Sequence, residues 1–528
     1  MLTVKMLYVG TSLPHYGARM VWSVLHHRMA EASLHVVLTQ NLRSIRNLLN
    51  PGRASGIGGA DYDLIAQEFR TTALLAISSM SEEADHVKQI IAAVRRVNPK
   101  IYVVWGGIHC IVAPEDAIPH ADAICTSEGE AAFEAFLQNF SAPEQRRKVE
   151  NFWFREQGQV IKNPFRPLLT SAELDALPVL VYGINEFIYR RGQGFSPVTS
   201  HDYLQSESMA MDTLWTRGCP FKCTYCSNTR FLAMDRNYGK LRYPSIQQLI
   251  RNVRSAIEHR PYIMSVTFHD DGFIALPVEV MREFVRVWRE EINLPFCVQG
   301  VNPIHVDQEK MALLVDGGMN RLRMGIQSGS DRILKFYHRP NRPDTLPNAV
   351  KIIHSFRGRI MPPAYDIIVD NPIETNADIQ DTLRMVNRLP RPFTINLFSL
   401  RAIPNTELEE QFKNMGELGD INTINKNYGH CAPTFANALL HLLVIMKIPD
   451  GMLNRLLPFA VTPRESPREY NTLLSILRFL MLVGRALSHI RHLDFSIVLG
   501  PTVYYLCQYG LLGRKRRQLV LKQPVEKL

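Results

Sequence analysis

Arg217-Gly218-Cys219-Pro220-Phe221-Lys222-Cys223-Thr224-Tyr225-Cys226 places three cysteines at Cys-x3-Cys-x2-Cys spacing in one short loop. Three thiolates on so tight a loop suit three corners of a 4Fe-4S cluster. A fully protein-held cluster takes four, so one iron is left open for an exogenous ligand. The competing readings are a structural zinc site or three buried thiols. Zinc favours four closed ligands in pairs, and no Cys-x2-Cys or His-x3-His partner occurs elsewhere in the sequence. The spacing therefore points to an iron–sulfur site equipped for chemistry.

Working outward, the 528 residues are too many for one ordinary domain and suggest three or four. A composition of 46% hydrophobic and 21% charged residues is that of a globular protein with an ample core. Cys110, Cys125, Cys297, Cys431 and Cys507 are scattered singly, which suggests neither a disulfide framework nor a second cluster. An oxygen-sensitive loop demands a reducing compartment. The N-terminus runs directly into the strand-like Met6 to Val9 with no signal-peptide core, so a cytoplasmic location is expected. A net charge of +10 is too unspecific to imply nucleic acid, and no such partner is expected.

The first ~145 residues alternate short apolar runs (Met6 to Val9, Leu34 to Leu38, Ala73 to Ile77, Ile101 to Val104, Ala123 to Cys125) with amphipathic stretches such as Ala84 to Val97. This alternation predicts a doubly wound, Rossmann-like parallel sheet over residues 1–145. Ligands of such sheets sit beyond the carboxyl ends of the strands. The loops of interest are therefore Gly10 to Gly17, Ser78-Ser79-Met80-Ser81, Trp105-Gly106-Gly107-Ile108-His109 and Ser127-Glu128-Gly129-Glu130. Taken singly, each also reads as a plain turn or helix cap. A connector is expected over 146–205, with a hairpin around Gln157-Gly158 and a proline-rich strap from Asn163 to Pro178.

From Asp212 to about Leu408 strand and helix alternate again, now predicting a partial (β/α)6 TIM-like barrel over 206–410. Leu214-Trp215-Thr216 is the expected first strand, with the cysteine loop leaving its carboxyl end. Later strand ends turn polar at His269-Asp270-Asp271, Gln299, Gly325-Ile326-Gln327-Ser328, Asp370-Asn371 and Asn396. Any one of these residues also fits a turn or a cap.

The cysteine spacing, with Tyr225 just before the third cysteine, resembles the radical S-adenosylmethionine (SAM) superfamily. There SAM chelates the open iron and is cleaved to a 5′-deoxyadenosyl radical. The resemblance implies that Asp270 and Asp271 meet SAM's ammonium, and that Gly325, Gln327 and Ser328 meet its ribose and carboxylate. Gln327 stands where glutamate is more frequent. The N-terminal loops look like the cobalamin-binding domain that precedes the barrel in one large subgroup. That likeness implies cofactor contacts at Gly106, Gly107, His109, Glu128, Gly129 and Glu130, with Ser78 and Ser79 near the nucleotide tail. The Asp-x-His-x-x-Gly motif that supplies a lower cobalt ligand is absent. His15 lies in the corresponding loop but lacks an aspartate two residues earlier, so a loop histidine with no cobalt bond is expected.

The last ~120 residues (411–528) change character. Apolar helices are expected over Ala432 to Ile448 and Leu473 to Leu487, then an uncharged stretch from Phe495 to Gly513 ending in Arg514-Lys515-Arg516-Arg517. This mimics a membrane span with a basic flank, yet Gly500-Pro501 and Gln508 weaken that reading. A mainly helical cap over the barrel is expected, with peripheral membrane contact as the second reading. The resemblance implies a cobalamin-dependent radical SAM methyltransferase acting on an unactivated carbon, with an electron donor such as flavodoxin or ferredoxin. The competing classes are a non-methylating cyclase or rearrangement enzyme and a tRNA methylthiotransferase; the latter needs a second cysteine trio, which is not seen. The apolar C-terminal region points to a small-molecule substrate that is lipid-like or polycyclic.

Overall fold

The structure, a computed structural model, describes residues 2–39, 56–340, 342–416, 431–496, 502 and 504–506. Most of Phe495 to Gly513 and the whole basic run 514–517 lie outside the described residues. Short β-branched runs form β1 (Val4–Gly10), β2 (Ser33–Leu38), β3 (Leu74–Ser79), β4 (Tyr102–Gly106) and β5 (Ala123–Cys125), which pair in parallel in the order β5-β4-β3-β1-β2. The helix Ala84–Val97 buries Val87, Ile90, Ile91 and Val94 at helical spacing against this sheet. The strand order reverses between β1 and β3, so the crevice for a ligand opens beside the loops that follow these two strands.

The segment between the two sheets does more than connect them. β6 (Phe152–Glu156) and β7 (Gln159–Lys162) form the expected hairpin, turning at Gln157 (φ 49°) and Gly158 (φ 80°), and add antiparallel to β5. At the opposite edge β8 (Glu186–Arg190) pairs in parallel with β2 and is followed by β9 (Gly194–Pro197), giving a nine-stranded sheet.

The second sheet holds β10 (Ala210–Thr213), β11 (Ser265–Phe268), β12 (Phe296–Val301), β13 (Met319–Gln327), β14 (Ala364–Val369) and β15 (Thr394–Ser399), all parallel and in sequential order. This is the curled half-barrel expected from the sequence. Val266, Phe268, Val298, Leu322, Met324, Tyr365, Ile367, Ile395 and Leu397 pack outward into one core. Their alternating neighbours face inward. One strand differs from expectation: β10 ends at Thr213, and Trp215 and Thr216 turn their amides to the carboxylate of Asp270 instead of a neighbouring strand.

The C-terminal helices Phe435–Ile445 and Asn471–Arg491 pack beside β15. Asp370 holds the first of them in place, accepting from Ala432 N at 2.7 Å and Asn437 Nδ2 at 2.9 Å. Ser496 then reaches under the barrel, where its hydroxyl meets Ser265 Oγ at 2.9 Å and its carbonyl accepts from Met209 N.

Candidate functional site

The cysteine loop leaves β10 and is fixed from both sides. Arg217 and Arg242 exchange backbone hydrogen bonds at 2.8 and 2.9 Å. Gly218 (φ 101°) is required there, because a Cβ would sit 2.6 Å from the carbonyl oxygens of Lys240 and Tyr238. Cys219 N donates to Tyr238 O and Thr224 N to Tyr337 O. Cys223 is buried while Cys219 and Cys226 are half-buried. Burial pushes the Cys219 thiol up to about 11 and raises that of Cys226 further, so these thiols resist ionising without a cation beside them. An all-sulfur trio within electrostatic reach of one another suits a cluster that takes one thiolate per iron.

Arg339, which the sequence analysis did not single out, ties this loop to the barrel. Its Nη2 donates to Gly325 O at 2.5 Å, and its Nη1 lies 3.3 Å from Tyr225 OH and 3.8 Å from Cys223 Sγ. A fixed cation at this position stabilises thiolate charge. Tyr225 packs edge-on against Tyr337 at 5.0 Å. A side chain at Gly325 would collide with Gln327 Nε2 at 2.4 Å, so the glycine lets Gln327 and Arg339 approach the strand. Gln327 itself sits at φ 75°.

The residues assigned to SAM separate into two groups. Asp271 is exposed toward the cysteine loop and accepts from Asn228 Nδ2 at 2.8 Å; burial by the surrounding atoms raises its pKa, with the Asn228 bond opposing. Gly325, Gln327 and Tyr225 lie around the same loop. Asp270, in contrast, is fully buried and accepts from the amides of Trp215 and Thr216. Burial pushes it up to about 6. It shapes the cysteine loop from below. Ser328 is also buried, with Oγ near Thr382 Oγ1 at 3.3 Å and accepting from Ser330 N at 3.1 Å. Asp270 and Ser328 thus also carry packing roles within the barrel, which residue type and position do not reveal.

At the N-terminal sheet, Gly107 adopts φ 95° and presses on the serine loop; a Cβ would fall 2.4 Å from Ser79 O and 3.3 Å from Ser78 Oγ. Trp105 Nε1 donates to Ser79 Oγ at 3.0 Å, leaving half-buried Ser78 as the freer hydroxyl. His109 stacks on Trp105 at 5.1 Å and its Nε2 lies 3.0 Å from Asp116 Oδ2. Bonding to His109, together with Lys88 and against burial, holds the Asp116 carboxyl well below the usual range. Glu83 ends the short turn Ser81–Glu83 that follows the serine loop. It is 3% exposed, and burial, with Glu82 adding to it, pushes it up to about 8. The sequence analysis did not single it out. His15 is exposed, 3.3 Å from Ser12 Oγ, and no carboxylate bonds its ring. Burial by surrounding atoms lowers its pKa, with the charge of Asp212 in the barrel opposing.

The acidic turn joins the two halves of the site. Glu130 pairs with Arg217 at 2.6 Å, and Glu128 with Arg242 at 2.8 Å and Arg217 at 3.6 Å. Glu128 also accepts from Leu169 N at 2.9 Å. Gly129 packs by Val21 and Cys125, and Gly106 by Cys125. The carboxylates expected at a cofactor thus bolt the N-terminal domain to the arginine two residues before Cys219. On the other side Arg401 pairs with Glu82 at 2.9 Å and Asn405 Nδ2 donates to Val112 O at 2.7 Å.

Comparison with known proteins agrees with this geometry. The Radical SAM superfamily model matches residues 213–386, and the B12 binding domain model matches residues 59–137. The chain thus carries a region that matches the radical SAM superfamily, preceded by one that matches a B12 binding domain. It is 24% identical over 345 residues to an uncharacterized methyltransferase of Pyrococcus horikoshii, covering 64% of this chain and 69% of the relative. It is also 24% identical over 304 residues to the cytidylyl-2-hydroxyethylphosphonate methyltransferase of Streptomyces wedmorensis, spanning about half of each chain (53% and 54%). The fold is similar to that of the radical SAM methyltransferase TsrM from Kitasatospora setae, with a TM-score of 0.60 at 16% identity over 78% of this chain and 76% of that one.

Proposed function

We propose that this chain is a cobalamin-dependent radical SAM methyltransferase that places a methyl group on an unactivated carbon of a small molecule. The observation that carries this reading is the Glu130–Arg217 pair at 2.6 Å, which locks a turn of the B12-binding domain to the root of the cysteine loop. A carrier and a radical source must share one chamber if a transient carbon radical is to be captured before it is quenched. Bound together, the cluster with SAM supplies a hydrogen-abstracting radical and cobalamin a transferable methyl group.

The chain's own residues hold and orient. Cys219, Cys223 and Cys226 carry the cluster, and Arg339 braces Cys223 and Tyr225. Asp271 and Gln327 would contact SAM. The Gly106-Gly107 turn admits a flat macrocycle against Ser78, while His109 is held in one orientation by Asp116. The relatives named methyltransferase support this reading. Anaerobic reconstitution with cobalamin and methyl-labelled SAM, followed by a search of cell extract for a labelled product, tests it. Turnover of SAM to 5′-deoxyadenosine with no labelled methyl in any product refutes methyl transfer.

A reducing cytoplasm with flavodoxin or ferredoxin as donor suits the open cluster. The helix Asn471–Arg491 is long and apolar enough to cross a membrane, and Leu473, Ile476, Leu480, Leu487 and Ile490 on it are exposed. Its other face is tied to the barrel core by Leu474 and Arg485, and Arg478 bonds Cys431. Peripheral contact with a membrane surface therefore fits better than a span. Pelleting with anionic vesicles tests this contact, and a protein that ignores vesicles at low salt refutes it.

A further inference from the structure

The half-barrel encloses a charged row used by none of the cofactor-facing residues. Strand alternation turns Gln299, Arg323, Asp366, Asn396 and Phe398 inward, because their neighbours fill the outer core. Arg323 Nε lies 2.7 and 2.8 Å from the two oxygens of Asp366, and its Nη1 lies 3.0 Å from Gln299 Oε1. Its guanidinium also sits over the Phe398 ring at 5.2 Å. Asn396 Nδ2 donates to the same Asp366 at 2.8 Å.

Arg485 enters this row from the C-terminal helix, at the open edge of the barrel. Its Nη2 donates to Ile395 O at 3.0 Å and to Asn396 Oδ1 at 2.9 Å. No carboxylate pairs with it among the described residues, and its Nε and Nη1 donate to no acceptor there. Two guanidiniums thus share the single charge of Asp366. Burial first, and Arg323 second, lower the basicity of Arg485, with the shared charge of Asp366 only partly opposing them. Enclosed cations are retained where an anion meets them. A purely structural seal at this edge would be made as well by an apolar side chain.

We propose that the lumen binds an oxyanion group of the substrate, a carboxylate or a phosphate, through the free edge of Arg485 with Arg323 beside it. The planar fork of a guanidinium suits either group in two-point contact. The proposal rests on the barrel being the substrate chamber of the methyltransferase. It narrows the lipid-like or polycyclic substrate expected from the sequence to one that bears an acid group.

The test uses the anaerobic holoenzyme, with inorganic phosphate and carbon-13 acetate as separate probes in ligand-observed NMR. Saturable binding of one anion is expected, and the arm that binds tells phosphate from carboxylate. Arg485→Met should weaken it by at least about tenfold, the loss of one charge-assisted contact. Arg485→Lys should fall between the two. Asn396→Asp, which removes no bulk and supplies the missing counter-charge, should weaken binding as strongly. Iron and cobalamin content equal to wild type shows that each variant has folded. Absence of saturable binding of both anions, or binding as tight as wild type in both Arg485→Met and Asn396→Asp, overturns the proposal. Anion binding in a wild type that transfers no methyl group would instead sink the assigned reaction and leave the anion site standing.

Discussion

Replacing Glu130 by glutamine should loosen the joint between the B12-binding domain and the cysteine loop. Glu130 and Arg217 are 6% and 12% exposed, so the pair is shielded from solvent and salt. Removing one partner of a buried pair costs about 3–5 kcal/mol. Two features reduce this: Arg217 keeps Glu128 at 3.6 Å, and the glutamine oxygen still accepts one hydrogen bond. The remaining cost is about 2 kcal/mol, or roughly thirtyfold in the local opening equilibrium. Hydrogen exchange read by mass spectrometry should show that loss of protection in peptides covering 126–133 and 214–219. The barrel strand 319–327 serves as control and should not change. Unchanged protection in both joint peptides, or an equal loss in the control, would refute the joint as the element that couples the domains.

Joint replacement of Cys219, Cys223 and Cys226 by alanine should abolish the iron–sulfur absorption after reconstitution; a variant that still assembles a full cluster contradicts the assignment. Gly107→Ala forces a Cβ to within 2.4 Å of Ser79 O at φ 95°, so cobalamin retention on gel filtration should drop sharply while cluster content stays, and equal retention would remove this loop from the site. Paramagnetic cobalt(II) in the bound cofactor should show no nitrogen hyperfine splitting that His15→Ala removes, since no carboxylate orients the ring. Glu83 has its carboxyl raised from 4.5 to about 8 in the fold, so the native state keeps a proton that the unfolded chain releases. Its contribution to stability is therefore lost as pH rises from about 4.5 to 8. Glu83→Gln should raise the melting temperature more at pH 8.5 than at pH 5, and an equal effect at both would place the carboxyl outside the buried interior.

Much of this protein is written locally. The cysteine spacing, the five apolar runs of the first sheet and the helix at Ala84–Val97 follow from chain-neighbour chemistry: ligand reach, strand length and helical periodicity. Glycine positions such as Gly107 and Gly218 were visible as letters, and their positive φ gives the reason for them. What the chain could not show is which partner each polar group takes. Asp270 and Asp271 are adjacent in sequence, yet strand alternation buries one beneath the cysteine loop and leaves the other facing it. Nothing in the sequence tied Glu130 to Arg217 or Glu128 to Arg242, 87 and 114 residues away. Arg339 and Arg485 carried no motif at all. Their roles come from long-range placement, Arg339 reaching back 116 residues to Cys223 and Arg485 crossing 89 to Asn396. Spacing fixes chemistry that one loop performs alone, whereas charge pairing across domains depends on burial that only the folded chain creates.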